Sequence, residues 1–122
     1  MNTSSTPVEN SVYAERLLQA KRVMQELSEE QRLNNFDIGT FAVNTDHGIV
    51  ACAAGLCGLD PWFQERGFHT TYTSDGIGGV SILPETFFGT DAPFYPSNYS
   101  VEGRVTVEDV ISALDRAIKR AS

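Results

Sequence analysis

The sequence predicts a mainly helical α+β fold, and three features of the chain support that assignment. Apolar residues recur at helical spacing near both ends, as in amphipathic helices that pack on a core. Residues 48–57 are small and apolar with no charge, which is typical of a central helix buried on nearly all sides. Two strand candidates, at about 68–73 and 77–82, lie on either side of Asp75-Gly76, a dipeptide that favours a small β-hairpin.

A long N-terminal helix is predicted to begin at Thr6. The threonine hydroxyl can cap the helix, Pro7 suits its first position, and Glu9 can reach back to complete a capping box. Residues 1–5 precede these signals and are predicted to be disordered, whereas residues 6–122 are long enough for a single globular domain. The apolar stripe of this helix consists of Val12 or Tyr13, Leu17, Ala20, Met24 and Leu27.

A second capping box divides the N-terminal region into two helices. Ser28 and Gln31 have the spacing at which the two residues cap each other, which predicts a break there and a short helix that ends near Asn34-Asn35. Residues 36–43 alternate apolar residues with small or polar ones. A strand, an extended loop and a helical turn all remain open for this segment, because Gly39 interrupts the alternation.

Proline and glycine mark out the short helices that follow. Asp60 can cap a helix whose first residue is Pro61, and Gly67 can end that helix after one or two turns. A further short helix is predicted from Pro84, closed by Gly89. These signals are local, so each helix is predicted independently of the rest of the fold.

The chain is predicted to finish with an irregular segment and an amphipathic helix. Residues 90–103 contain Pro93 and Pro96, which block regular strand pairing. The C-terminal helix begins at Thr106, with Asp109 in a capping position three residues later. Its apolar face consists of Val107, Val110, Ile111, Leu114 and Ile118.

The net charge of −7 is concentrated in the middle of the chain. Between residues 33 and 103, eight acidic residues stand against Arg66 alone, whereas the two ends carry nearly balanced charges. A negative field of this kind repels phosphate backbones and favours basic partners, so we expect no binding to nucleic acid. A solvated acidic surface without any partner is the alternative explanation of the same charge.

The cysteines and the N-terminus bear on where the protein resides. Cys52 and Cys57 lie five apart in one predicted helix, on different faces, so we expect reduced thiols, as in a cytoplasmic protein. Residues 1–5 lack the basic and apolar regions of a signal peptide, and no apolar run approaches the roughly 18 residues that a membrane span needs. The sequence therefore predicts a cytoplasmic protein that does not associate with membranes.

The residues that could carry out chemistry are not spaced to converge. His47, Cys52 and Cys57 are each five apart, a step of about 140° around a helix that does not suit tetrahedral zinc. We therefore predict no bound metal and no cofactor. A small hydrolase or nucleotide-processing enzyme that uses His47, Cys52 and nearby carboxylates is the alternative to a protein without enzymatic activity.

Aromatic residues are the best candidates for binding contacts. A large ring with a polar group next to it is the chemistry of protein-interface hot spots. In each of the pairs Trp62-Phe63 and Phe87-Phe88, one ring is expected in the core and the other near the surface. The alternative explanation is that the aromatic residues simply fill a small core. The predicted contact residues are Trp62, Arg66, Tyr95 and Tyr99.

Six short motifs occur in order between residues 36 and 118: Phe36-Asp37-Ile38, His47-Gly48-x-x-x-Cys52-Ala53-x-Gly55, Pro61-x-Phe63-x-x-x-Gly67-Phe68, Phe87-Phe88-Gly89, Phe94-x-Pro96-x-x-Tyr99 and Thr106-x-x-Asp109-Val110. The set resembles a family of small uncharacterised proteins of bacteriophages and bacteria. The family pattern reads F-D-[ML], C-G-T-x-x-C-x-x-G, P-x-F-x-x-x-G-L, F-F-G-L, L-F-x-P-x-x-Y and T-P-x-D. This chain departs from it at His47, where the family has Cys, and at Thr90, where it has Leu.

The resemblance implies no activity, so the functional hypothesis depends on charge and aromatic content. We expect a non-enzymatic binding or regulatory protein that engages a host protein or a small ligand through an acidic, aromatic-rich surface. The resemblance is to proteins of both bacteriophages and bacteria, so it leaves a phage-encoded and a bacterial protein open. Whether it forms a homo-oligomer is left open.

Overall fold

A computed structural model describes residues 5–46, 48–72, 77–100 and 103–121, apart from the side chains of residues 5–10, 72 and 77. Within these residues the fold is α+β and mainly helical, as the sequence predicts. The helices are α1 (Ser5–Gln25), α2 (Glu29–Asn34), α3 (Ala53–Cys57), α4 (Pro61–Gln64), α5 (Pro84–Phe88) and α6 (Val107–Ala121), with a 3-10 turn at Pro96–Asn98. The strands are β1 (Ala42–Thr45), β2 (Gly48–Val50), β3 (Thr70–Tyr72) and β4 (Ile77–Val80).

Helices α1 and α6 pack against each other as an antiparallel pair. Leu17 and Met24 of α1 and Leu114 of α6 are fully buried, because the two apolar stripes face a common core. Lys21 Nζ lies 2.6 Å from Asp115 Oδ1, and Arg32 of α2 pairs with Glu108 in the first turn of α6. The ends of the chain and the short α2 therefore form one helical layer.

Three of the predicted helix caps are present. Ser28 and Gln31 form a reciprocal capping box at α2, and the Asp60 carboxylate accepts a hydrogen bond from Trp62 N at α4. Thr106 and Asp109 bond each other's backbone N–H groups at α6, at 3.2 and 2.9 Å. The proposed Thr6 and Glu9 cap depends on side chains outside the described ones.

The strands form one antiparallel sheet in the order β2-β1-β4-β3. β3 and β4 are the predicted hairpin; its Asp75-Gly76 turn lies outside the described residues. The prediction of one helix over 48–57 is wrong in its first part. Residues 48–50 form strand β2 instead, and Val50 lies opposite Val43 of β1. The β-branched residues Ile49 and Val50 favour this pairing.

The shortened central helix α3 is buried, and it holds the preceding segment at very close range. A Cβ atom built on Gly55 would lie 1.6 Å from the carbonyl oxygen of Phe41, so only glycine permits this contact. Thr70 Oγ1 of β3 donates a hydrogen bond to the carbonyl of Gly55 at 2.7 Å. The small residues at 53–55 thus serve the close packing that their composition predicts.

A cluster of phenylalanine rings fills the core between α3, α4 and α5. The Phe63 ring lies within 5.9 Å of Phe68, Phe87 and Phe88, and Phe94 stacks on Phe88 with 4.4 Å between centroids. The expectation that one ring of the pair Phe87-Phe88 lies near the surface is wrong, since both rings are buried. The Arg16 guanidinium explains this, because it covers the Phe87 ring at 4.0 Å.

Candidate functional site

Trp62 and Arg66, two of the four predicted contact residues, are paired with each other. The Arg66 guanidinium lies 3.7 Å from the centroid of the Trp62 ring, and its Nη1 donates to the Trp62 carbonyl at 2.8 Å. Trp62 is half-buried and meets Phe63 edge-on at 4.9 Å, so Phe63 is the core ring of this pair as expected. The stack is preformed on α4, and each member already uses part of its contact surface on the other.

Tyr99 serves the fold of its own loop. Its hydroxyl donates to the carbonyl of Pro93 at 2.7 Å, and the ring packs against the core. Burial raises the pKa of Tyr99, while the nearby positive charge of Arg116 acts in the opposite direction. The hydroxyl therefore remains protonated at neutral pH and is engaged by the backbone.

Tyr95 differs from Tyr99 because it borders open space. It is half-buried, its hydroxyl donates to Glu85 Oε1 at 2.8 Å, and its ring meets Phe41 edge-on with 6.3 Å between centroids. Three separate segments converge at this point: α5 carries Glu85, the irregular loop carries Tyr95, and the turn before β1 carries Phe41. Among the described residues, no ring contact or hydrogen bond joins Tyr95 to the Trp62–Arg66 stack.

A small cleft opens beside the Tyr95 ring, and we call it the Tyr95 cleft. Its volume is about 70 Å³, and its walls are residues 38–41, Cys52 and residues 94–96. The wall at 38–41 is held in place by backbone hydrogen bonds. Thr40 N donates to the Asp37 carbonyl at 3.2 Å, and Cys52 N donates to the Thr40 carbonyl at 2.6 Å. The cleft is therefore formed by a fixed loop that faces an aromatic side chain.

Carboxylates lie close to the Tyr95 cleft, although none of them lines it. Burial, then the hydrogen bond to Glu85, then the charges of Glu85 and Asp91 raise the pKa of Tyr95 to about 12. Asp37 precedes the wall at 38–41, and its charge adds to the burial that raises the pKa of Cys52. Arg104, whose guanidinium donates to the carbonyl groups of Leu33 and Phe36, keeps its positive charge close to the Asp37 end of this wall. The negative charge next to the Tyr95 ring therefore comes from Glu85 and Asp91.

Cys52 lies in the floor of the cleft as a neutral thiol. It is buried, as is Cys57, and neither forms a disulfide. Burial raises the Cys52 pKa, although backbone N–H groups at the start of α3 oppose the shift. Reactive cysteines are partly exposed and have a lowered pKa, so Cys52 lacks the properties of a nucleophile.

The described residues offer no further candidates for chemistry at this site. His47, the other half of the enzymatic alternative, lies outside the described residues. In the described part of the chain, no group of three or more histidine, cysteine, aspartate and glutamate side chains could hold a metal ion. None of the described helices is long and apolar enough to cross a membrane.

The sequence analysis selected Tyr95 but missed its surroundings. Asp37, Phe41 and Glu85 are separated from Tyr95 by up to 58 positions in the chain, and no local pattern connects them. The ordered set of motifs did not connect them either, because it includes Asp37 but leaves Tyr95 as a variable position of Phe94-x-Pro96-x-x-Tyr99. Only the packing of residues 38–41 on α3 brings these groups to one place.

Comparisons with known proteins add no assignment to this site. No protein-family model matches the chain, and no curated protein or solved structure is detectably similar to it. The resemblance to small phage and bacterial proteins therefore remains a hypothesis, and the function is argued from the geometry of the cleft.

Proposed function

We propose that the protein is a non-enzymatic binding protein that takes a positively charged group of its partner into the Tyr95 cleft. The observation that carries the proposal is the convergence of two aromatic rings, Phe41 and Tyr95, with the carboxylates of Asp37, Glu85 and Asp91. Aromatic faces attract cations through their quadrupole, and nearby carboxylates add a direct Coulomb term. An ammonium or guanidinium group is complementary to both.

The charge distribution of the chain supports the same function. The middle of the sequence carries the whole net charge of −7, which would steer a basic partner toward this side of the molecule. A host protein of a phage-encoded regulator is one such partner, and a small organic cation is the other. The Trp62–Arg66 stack and Tyr99 are proposed as separate contacts outside the cleft.

A titration with a small cationic probe tests the proposal. Acetyl-arginine methylamide and its neutral isostere, acetyl-citrulline methylamide, would be added to ¹⁵N-labelled protein while amide shifts are recorded. We expect the arginine probe to shift the Thr40, Phe41 and Tyr95 amides and the citrulline probe to leave them unchanged. Equal responses to the two probes would refute a cation site.

Matched charge variants test whether the arginine probe binds at the cleft. Glu85→Gln keeps a hydrogen-bond acceptor for Tyr95 but removes a charge beside the cleft, whereas Glu26→Gln removes the same charge from the exposed end of the N-terminal helix. Glu85→Gln should lower the affinity for the arginine probe by roughly threefold, because this factor corresponds to the Coulomb energy of one charge ~6 Å away in a solvent-like medium. Glu26→Gln should have little effect. If both variants weaken binding equally, the probe responds only to net charge.

A further inference from the structure

We infer that the occupant of the Tyr95 cleft is an extended basic segment of a partner protein, which also places an apolar side chain in a second hollow beside the cleft. This inference rests on the proposed function, because the cleft must first accept a cation. The second hollow has a volume of about 380 Å³ and is lined by residues 39–43 and Gly78. We call it the sheet hollow.

The two hollows flank the same short stretch of chain. Residues 39–41, which we call the ridge, line both of them, so the Tyr95 cleft and the sheet hollow adjoin along this stretch. An extended peptide presents alternate side chains on one face about 7 Å apart. Two side chains at positions i and i+2 of one extended segment would therefore occupy the two adjoining hollows.

The chemistry of the sheet hollow differs from that of the cleft. Its described lining contains no charged side chain, and Phe41 and Val43 supply apolar surface, whereas Ala42 is buried. The charges of Glu85 and Asp91 act on Tyr95 in the cleft instead. A ligand that matches both hollows carries a cation and an apolar group at separate points, as an extended basic protein segment does with an apolar side chain two positions from its cation.

The ridge between the hollows is preorganised for such a ligand. The Phe41 carbonyl lies directly against Gly55, where a Cβ atom would be 1.6 Å away, and Gly39 N donates to Asp37 Oδ1 at 2.9 Å. Thr40 is bonded to the Asp37 carbonyl on one side and to Cys52 N on the other. A rigid ridge lowers the cost of ordering on binding, which is the general basis of tight peptide grooves.

Three fluorescent pentapeptides would test the inference: one with arginine and leucine at i and i+2, one with serine in place of leucine, and one with citrulline in place of arginine. Affinities are measured by polarisation against the wild type, Val43→Thr and Val50→Thr. Val43 lines the sheet hollow, whereas Val50 is its cross-strand partner and does not line it. The two substitutions are isosteric and suit a strand, and circular dichroism would verify folding.

We expect the leucine peptide to bind the wild type about fivefold more tightly than the serine peptide, because partial burial of a leucine side chain accounts for a gain in affinity of this size. Val43→Thr should remove most of that advantage, and Val50→Thr should keep it. If leucine confers no advantage, or if acetyl-arginine methylamide binds as tightly as the leucine peptide, the inference fails while the cation site stands. If the citrulline peptide binds as well as the arginine peptide, the proposed function itself fails.

Discussion

The helical layer and the acidic middle of this molecule are stabilised in different ways. In the helical layer (α1, α2 and α6), amphipathic stripes face the core, and exposed ion pairs such as Lys21–Asp115 join the helices. In the middle (residues 33–103, without the end of α2), stacked phenylalanine rings and backbone contacts at glycine hold together very short elements. Helices of four or five residues are not stable alone, so the middle depends almost wholly on tertiary packing.

The same contrast applies to charge. Opposite charges meet in the helical layer, whereas in the described part of the middle the only ion pair is Arg66–Glu65 at 3.9 Å. The charges of Glu85 and Asp91 therefore act on Tyr95 without a described ion-pair partner. Charge thus joins the helices of the helical layer, whereas in the middle it lies next to the candidate site and the phenylalanine core holds the fold together.

The largest effect is expected from truncating a ring of the middle. Phe88→Ala should lower the free energy of unfolding by about 3–5 kcal/mol, because the ring is fully buried between Phe63 and Phe94. Leu33→Ala in the helical layer is the control, since that side chain is 68% exposed and its loss should cost below about 0.5 kcal/mol. Urea unfolding measures both. Similar losses of unfolding free energy in the two variants would contradict the expected difference between the two regions.

Adding a single carbon atom at Gly55 should give the next largest effect. Gly55→Ala pushes the Phe41 carbonyl away from α3 and should cost about 1–3 kcal/mol through overpacking. Gly79→Ala is the control, because a Cβ atom there meets nothing within 4 Å. Thermal melts give the stability change, and amide shifts of Thr40 and Tyr95 report the cleft. An unchanged melting temperature for Gly55→Ala would mean that the ridge is not held by this contact.

Removing a helix cap should have an intermediate effect. The Asp60 carboxylate accepts the Trp62 N–H at 3.1 Å, so Asp60→Ala should cost about 1 kcal/mol. Asp60→Asn keeps the acceptor oxygen and should retain most of the stability. Chemical denaturation of the two variants checks this, and an equal loss in both would show that the negative charge matters rather than the cap.

The smallest effect concerns an ion pair of the helical layer. The hydrogen bond from Arg32 lowers the pKa of Glu108, so the pair stabilises the fold above the ordinary glutamate pKa of about 4.3 and loses this contribution as the pH falls through the lowered value. Because Glu108 is 66% exposed, the contribution should be only a few tenths of a kcal/mol. Melting curves of wild type and Glu108→Gln should differ at about pH 6 and converge at about pH 3. A constant difference would contradict this linkage.

Features of the fold that depend on neighbouring residues were predictable. Ser28 with Gln31, Asp60 with Pro61, and Thr106 with Asp109 are local signals, and each cap was found where its spacing places it. The strand β2 was missed, because three residues such as Gly48–Val50 carry no period of their own and become a strand only by pairing with β1. Both Phe87 and Phe88 are buried for a similar reason, since Arg16 covers the outer ring from another helix.

The sequence by itself determined the mainly helical α+β class, three helix caps and the negative middle, and it selected Tyr95 as a candidate for binding. Tertiary structure alone decided that Tyr95 meets Phe41 beside a cleft, that Trp62 stacks on Arg66, and that Tyr99 bonds its own loop. The physical reason is the range of the forces. Propensity and capping act over about four residues, whereas a site is made by packing between segments that are distant in the chain.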